Sequence, residues 1–487
     1  MIGLYFLFVL VKGILSYFVS TPTMFNDELL FKEMARSFWY HLNLDIFGEA
    51  YSWGRPLYPV IISIAYFFKS MVNIYTAMKI INVLLSSLII FPAFLLAREF
   101  FGTKRSILVA ILISVLPMNF AFSSYIMSEN IFYVLFLFSI YFIYKALNAN
   151  GWKWVILSGI FIGLCNLAKI QGLVLFPLIM ILFLAKKRFK SLWDILMISL
   201  IIVTPYFLSA GVVGYDSLIY KNSFSLSSFI FWVLLYVSYI ILASGVFAFL
   251  TKLDLKHLFF WIIFLSTGFL VAVASFHSSS YLDGRPIGRY VDAVIPLILI
   301  FGLFSLKNVE SIWRKMITLG FVLFSFRLLS YSLFPVSDLM LSHVGVVNYL
   351  FGSWGAFVLI LGVSMIYLLI KRLTIKKTII LLSVFFLSIS LLCYAINIYN
   401  AKSWSNTDQV KAGLWLNDFD DNPDKTVLVD KDISLGIDKD RFLTSAFWIN
   451  GNISVKELKD HSGEEYIITT GSCRAIRKFG DFRVCIS

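Results

Sequence analysis

Long apolar runs, separated by short charged loops, recur along most of this sequence. Crossing a bilayer takes about 20 apolar residues in a helix. Runs near that length lie at roughly 2–20, 77–97, 106–122, 130–147, 152–170, 172–186, 192–210, 228–250, 257–276, 289–305, 314–332, 345–370 and 378–398. They predict about thirteen spans. The run Leu57 to Phe68 is too short to cross and reads as an interfacial or re-entrant segment. The pattern changes twice. Thr21 to Lys69 is a long, mixed-polarity loop after the first run, and from about Asn400 to Ser487 Asp, Lys, Asn and Gly become frequent. The chain therefore divides into a transmembrane domain over 1–399, with an outer loop over 21–76, and a soluble domain over 400–487. In that tail Thr426 to Asp430 and Glu465 to Thr470 read as buried strands, Val455 to Asp460 as a short helix, and Arg474 to Ile486 as a hairpin turning at Gly480-Asp481. The class is an α-helical polytopic membrane protein with a small C-terminal α/β soluble domain.

Composition agrees. Of 487 residues, 59% are hydrophobic and 14% charged, against roughly 25% charged in soluble proteins. The net charge of +13 does not point to nucleic acid, because the cations sit in short loops between apolar runs. With the N-terminus cytoplasmic, the inner loops hold Arg98, Lys104, Arg105, Lys145, Lys153, Lys186, Lys187, Arg188, Lys190, Lys252, Lys256, Lys307, Arg314, Lys315, Lys371, Arg372, Lys376 and Lys377. The opposite loops hold Asp27, Glu28, Glu33, Asp45, Glu49, Glu129, Asp216, Asp283 and Asp338. This asymmetry orients a multi-pass protein of the plasma membrane, with the tail extracytoplasmic. Ile2 to Ser20 lacks a basic start and a cleavage site, so it reads as a retained first span. Four cysteines are too few for a disulfide scaffold. Cys165 and Cys393 lie in apolar runs, whereas the spacing of Cys473 and Cys485 admits a disulfide in an oxidising compartment.

Candidate chemistry collects on the outer side. With Asp27 to Tyr40 on a helix, Leu30, Phe31, Met34, Ala35, Phe38 and Trp39 share one face and Glu28, Lys32, Glu33 and Arg36 the other, as in a helix lying along a membrane surface. Asp27 and Glu28 then open the helix, where they serve as caps or as a general base at the lipid–water boundary. Glu129, at the mouth of the fourth span, has the same two readings. Lys169, Arg285, Arg289 and Arg55 are cations near the outer apolar boundary, suited to snorkelling or to holding an anionic head group. Asp283 and Asp292 offer Arg285 and Arg289 ordinary ion-pair partners. Lys12 lies mid-span and should face the bundle interior. His277, alone, reads as a structural hydrogen-bonder. No metal-ligand, P-loop or serine-hydrolase motif occurs. Asn452-Ile453-Ser454 is an N-glycosylation sequon.

Taken in order, these motifs resemble the GT-C superfamily of membrane glycosyltransferases, and more closely the branch of protein O-mannosyltransferases and lipid A aminoarabinose transferases. The resemblance rests on the Asp27-Glu28 pair, Gly54 to Pro59 (GRPLYP), Ala97 to Lys104, Ser128-Glu129, Gly159 to Pro177 with its lysine, and Gly288-Arg289-Tyr290 with Pro296. It departs from the branch in lacking His-Pro-Pro and in having Glu as the second acid. The resemblance implies a GT-C-like fold and transfer of a monosaccharide from a polyprenyl-phosphate donor to a hydroxyl on a lipid, glycan or protein, outside the membrane and with inversion. Asp27, Glu28 and Glu129 would be catalytic, and Lys169, Arg285 and Arg289 would bind the donor phosphate. Arg55, Tyr58, Gln171 and Tyr290 would contact substrate. No cofactor is implied, a divalent cation is left open, and membrane lipids are the remaining partners. The rival readings are a transporter or flippase for a lipid-linked or anionic solute, an assembly subunit without catalysis, and a glycan ligase or polymerase using a lipid-diphosphate donor.

Overall fold

The computed structural model describes residues 1–23, 25–48, 55–149, 151–210, 225–245, 256–280, 286–306, 312–331, 342–359, 361–362, 365, 373–430, 440–456 and 464–486. Among them six helices are long and apolar enough to cross a membrane: Met71–Arg98, Glu129–Asn148, Phe189–Tyr206, Leu226–Ala243, Leu258–Ser280 and Ile375–Ser405. The pair Thr103–Ser114 and Pro117–Ser124 is long and apolar enough only when taken together, and it is bent by 73°. Pro117 explains the break, since proline has no amide hydrogen to donate and its ring clashes with the preceding turn. The shorter apolar helices Ile2–Tyr17, Trp152–Ala168, Ile170–Ala185, Asp292–Phe304 and Met316–Ser330 fall on expected spans. The expected span 345–370 lies partly outside the described residues. Leu57–Phe67 is a short helix ending in a 3-10 turn.

The chain forms two compact units. The first comprises Met1–Leu10, Leu85–Phe122 and Ser128–Cys393. At its centre is the largely buried helix Glu129–Asn148. Helix Trp152–Ala168 packs on it and, on its other side, on Phe189–Ala210. Gly159 and Gly163, four residues apart, make the second contact close: a Cβ would meet Ile198 Cβ at 2.7 Å or Ile202 Cβ at 2.9 Å. Small residues at this spacing let membrane helices approach backbone to backbone.

The second unit comprises Val11–Leu84, Ser123–Met127 and Tyr394–Ser487. Its five-stranded sheet is formed by β1 (Thr426–Asp430), β2 (Asn452–Lys456), β3 (Tyr466–Thr469), β4 (Ala475–Phe479) and β5 (Phe482–Ile486). The order is β2-β1-β3-β5-β4, with β1 parallel to both neighbours and β5 antiparallel to both of its own. The two strands and the hairpin expected from the sequence are present. The helix expected over Val455 to Asp460 is not: Val455 and Lys456 end β2, paired to Val429 and Asp430, and 457–460 lie outside the described residues. Cys473 and Cys485 form a disulfide against Leu428 and Ile467 in the sheet core.

Helix Phe25–His41 forms as expected, but its charged face does not meet water. Glu28, Lys32, Glu33 and Arg36 are all buried, while Trp39 on the apolar face is exposed. Lys32 Nζ donates to the Ile449 carbonyl at 2.5 Å and to Glu33 Oε1 at 2.6 Å. Arg36 donates to the Pro423 carbonyl and to Asn452 Oδ1. Lys32 and Arg36 thus reach carbonyls of the tail, and on the apolar face Met34 and Ala35 are buried as well, so that only its edge at Trp39 is exposed. Burial pushes the Lys32 ammonium below the ordinary lysine value, with Glu33 opposing the shift. Lys12 is fully buried in this unit.

Candidate active site

In the first unit, three sequence-predicted residues converge. Glu129 is the first residue of its helix, and its carboxylate is completely buried. Lys169 caps the C-terminus of helix Trp152–Ala168 in extended conformation. Its Nζ donates to Glu129 Oε1. Arg289, in the 3-10 turn Gly288–Tyr290, brings Nε to 3.7 Å from the same oxygen. One buried carboxylate is therefore shared by two cations whose side chains are about one-tenth exposed. The Tyr290 ring lies 5.3 Å from Lys169 Nζ and 5.9 Å from Arg289 Cζ, within cation–π range. The His277 ring packs edge-on against it at 5.3 Å.

The backbone around Lys169 is tightly specified. Its amide donates to the Cys165 carbonyl and its carbonyl accepts from Gly172. A Cβ on Gly172 would lie 2.7 Å from that same Cys165 oxygen, so only glycine lets the turn Ile170–Val174 fold back this closely. Gln171, in this turn, is buried, and its Oε1 has no hydrogen-bond partner among the described residues. A buried acceptor left open this way is a site for a ligand donor or a water.

Two neighbours were not foreseen. Tyr133 donates to the Arg289 carbonyl at 3.1 Å; its place one helical turn after Glu129 was readable from helical periodicity. Tyr239 donates to Asp292 Oδ1 at 2.8 Å, and no sequence signal links these two. Asp292 takes this phenol instead of the Arg289 pairing considered above. Arg285 and Asp283 lie outside the described residues.

The second unit holds the other acidic pair. Asp27 is partly exposed in the first turn of helix Phe25–His41. Glu28 is fully buried, and both its oxygens accept backbone amides: Oε2 from Thr23 at 3.0 Å and Oε1 from Ile126 at 2.8 Å. Thr23 Oγ1 donates in turn to Asn397 Oδ1 at 2.8 Å. Adjacent acids thus have unlike surroundings, one reaching solvent and one clasping two chain segments. Arg55 is buried. Tyr58 donates to Asn82 Oδ1 at 2.9 Å, and Asn82 donates to the Tyr125 carbonyl. Among the described residues no three His, Cys, Asp or Glu gather as metal ligands.

Residues 56–208 match the family described as dolichyl-phosphate-mannose-protein mannosyltransferase. No curated protein matches the chain in sequence. Among solved structures, ArnT from Cupriavidus metallidurans bound to undecaprenyl phosphate is similar, with a TM-score of 0.61 at 16% identity over 94% of this chain and 86% of that one. The same protein in the apo state gives 0.58 at 15% identity, over 93% and 85%. The chain therefore has the fold of the GT-C membrane glycosyltransferases, similar to the branch that holds the protein mannosyltransferases and ArnT.

Proposed function

We propose that this chain is a polyprenyl-phosphate-sugar-dependent glycosyltransferase, moving a monosaccharide to a hydroxyl on a lipid, glycan or protein at the outer face of the plasma membrane. The observation that carries the reading is the convergence of Lys169 and Arg289 on one buried carboxylate beside Tyr290. Two cations in a low-dielectric setting suit an incoming phosphate, which competes with Glu129 for their N–H groups. The likeness to ArnT bound to undecaprenyl phosphate supports a polyprenyl carrier.

In this reaction Asp27 accepts the proton of the acceptor hydroxyl. The hydroxyl oxygen attacks the anomeric carbon, forming the new C–O bond. The bond from that carbon to the phosphate oxygen breaks with its electron pair, and attack from the opposite face inverts the centre. Lys169 and Arg289 stabilise the charge that develops on the phosphate, joined by Arg285. Gln171 Oε1 and Tyr290 meet the donor, and Arg55 and Tyr58 shape the acceptor side. Glu28 already accepts two amides, which favours a positioning role for it: it holds the turn that presents Asp27.

The test is transfer from a panel of radiolabelled polyprenyl-phosphate sugars by purified protein in bilayers. Asp27→Asn should lose about 10²-fold or more in rate, the range for a general base, with an unchanged melting temperature. Transfer at the wild-type rate would remove Asp27 as the base. A wild-type chain inactive with every monophosphate donor but active with a lipid diphosphate would move the protein to the ligase or polymerase class.

A further inference from the structure

The first unit contains a cleft of about 790 Å³ that the transfer reaction does not use. It lies between the ends of helices Trp152–Ala168 and Phe189–Ala210, beside the C-terminal end of Glu129–Asn148. Trp152, Lys187, Arg188, Phe189, Lys190 and Asp194 form its polar mouth. The wall behind them is apolar: Val155, Ile156, Met197 and Ile198. The Gly159 and Gly163 contacts fix the spacing of these two helices.

The mouth is a built feature. Helix Leu175–Ala185 ends with Arg188 N–H donating to the Phe183 carbonyl and Lys187 N–H to the Leu184 carbonyl, the double closure of a Schellman turn. That turn requires a left-handed residue, usually glycine, yet here it is Lys187, at φ 56°. A lysine at such a position is strained, because its Cβ crowds the following carbonyl, and such strain persists where function selects the side chain. Arg188 Nη1 is fixed on the Ala146 carbonyl at 2.6 Å. Asp194, one turn from Lys190, makes no ion pair within 4 Å among the described residues. Trp152 is 77% exposed, Phe189 62% and Trp193 64%. Aromatic residues exposed at helix ends mark the interfacial depth of a bilayer.

We infer that this cleft binds the phosphodiester headgroup of an anionic glycerophospholipid. Lys187, Arg188 and Lys190 meet the phosphate, and an acyl chain runs along the apolar wall. Basic pockets between membrane helices bind such headgroups. The contiguous apolar wall and the exposed aromatic rim favour a lipid over free phosphate, which has no use for either.

The test uses the full chain, purified in neutral detergent and stripped of lipid. Phosphatidylglycerol, phosphatidylcholine and inorganic phosphate are titrated separately, with retained lipid read by native mass spectrometry and stability by thermal melting. Phosphatidylglycerol should be retained and should raise the melting temperature. Lys187→Gln with Lys190→Gln should weaken it roughly 5–30-fold, from about 1 kcal/mol per lysine. Lys187→Gly serves as the second variant, because glycine relaxes the turn: it should melt at or above the wild type without lipid, yet respond less to phosphatidylglycerol. An equal response to phosphatidylcholine, equal protection by inorganic phosphate, or an undiminished response in Lys187→Gly would each overturn the site.

Discussion

Glu129 is an acid with no exposed side-chain surface and two cations within 4 Å. Breaking one side of such a cluster leaves a charge buried, at a cost of roughly 3–5 kcal/mol. Lys169→Met and Glu129→Gln should each lower the melting temperature of the purified protein. The double variant should lose clearly less than the two single losses added, because the residues act on one another; additive losses would mean that the pair is not coupled. In the tail, Lys425 gives a pH test. Its Nζ donates to the carbonyls of Asp420, Asn422 and Asn450. Burial pushes its pKa down to about 8, with Asp420 opposing, whereas in the unfolded chain it returns to about 10.4. Between these values the unfolded state holds the proton and the folded state has released it. Unfolding therefore takes up a proton, and stability rises with pH across that window. Denaturant midpoints from pH 7 to 10 should show this rise, and Lys425→Met should flatten it.

At the scale of the element, helix contacts set by glycine are the most exposed to small changes. Gly172→Ala pushes a Cβ into the Cys165 carbonyl. Forcing such a contact costs about 1–3 kcal/mol and shifts the turn that carries Lys169. Donor KM should rise more than melting falls; unchanged kinetics would show that the turn tolerates the methyl group. Most helices were legible in the sequence because a span is a length of apolar residues, and length survives any packing. The orientation of helix Phe25–His41 was not. Its two faces were read correctly, but water was assumed to satisfy the charged one. The actual partners of Lys32 and Arg36 include backbone carbonyls of Ile449 and Pro423, and a carbonyl is the same on every residue. Glu28 hid its partners for the same reason, since amides of Thr23 and Ile126 carry no sequence signature. The cluster of Glu129, Lys169 and Arg289 was legible as chemistry, through residue type and motif, and only the fold gave its distances.

At the scale of the molecule, the basic loops predict sidedness. Single cysteines introduced at Lys187 and at Asp408 should label from opposite sides of sealed vesicles with a membrane-impermeant thiol reagent; labelling from one side would break the assignment. The Cys473–Cys485 bond closes a short loop of the tail, worth about 3 kcal/mol by loop-closure entropy. Reductant should lower the melting of the tail by a corresponding amount.

The burial of Lys32 by the tail also bears on how the chain is made. Its carbonyl partner Ile449 lies 417 positions further on. A ribosome adds about 5–20 residues per second, so helix Phe25–His41 waits on the order of 20–80 s after its synthesis for the tail carbonyls that Lys32 and Arg36 meet in the folded chain. During that interval the cell holds an unfinished chain whose first loop is not closed, open to proteases and to chaperones. The second unit closes only once Tyr394–Ser487 has been made and can pack with Val11–Leu84. A nascent chain stalled before the tail should therefore be cut within the first loop by added protease, while the released, finished chain resists.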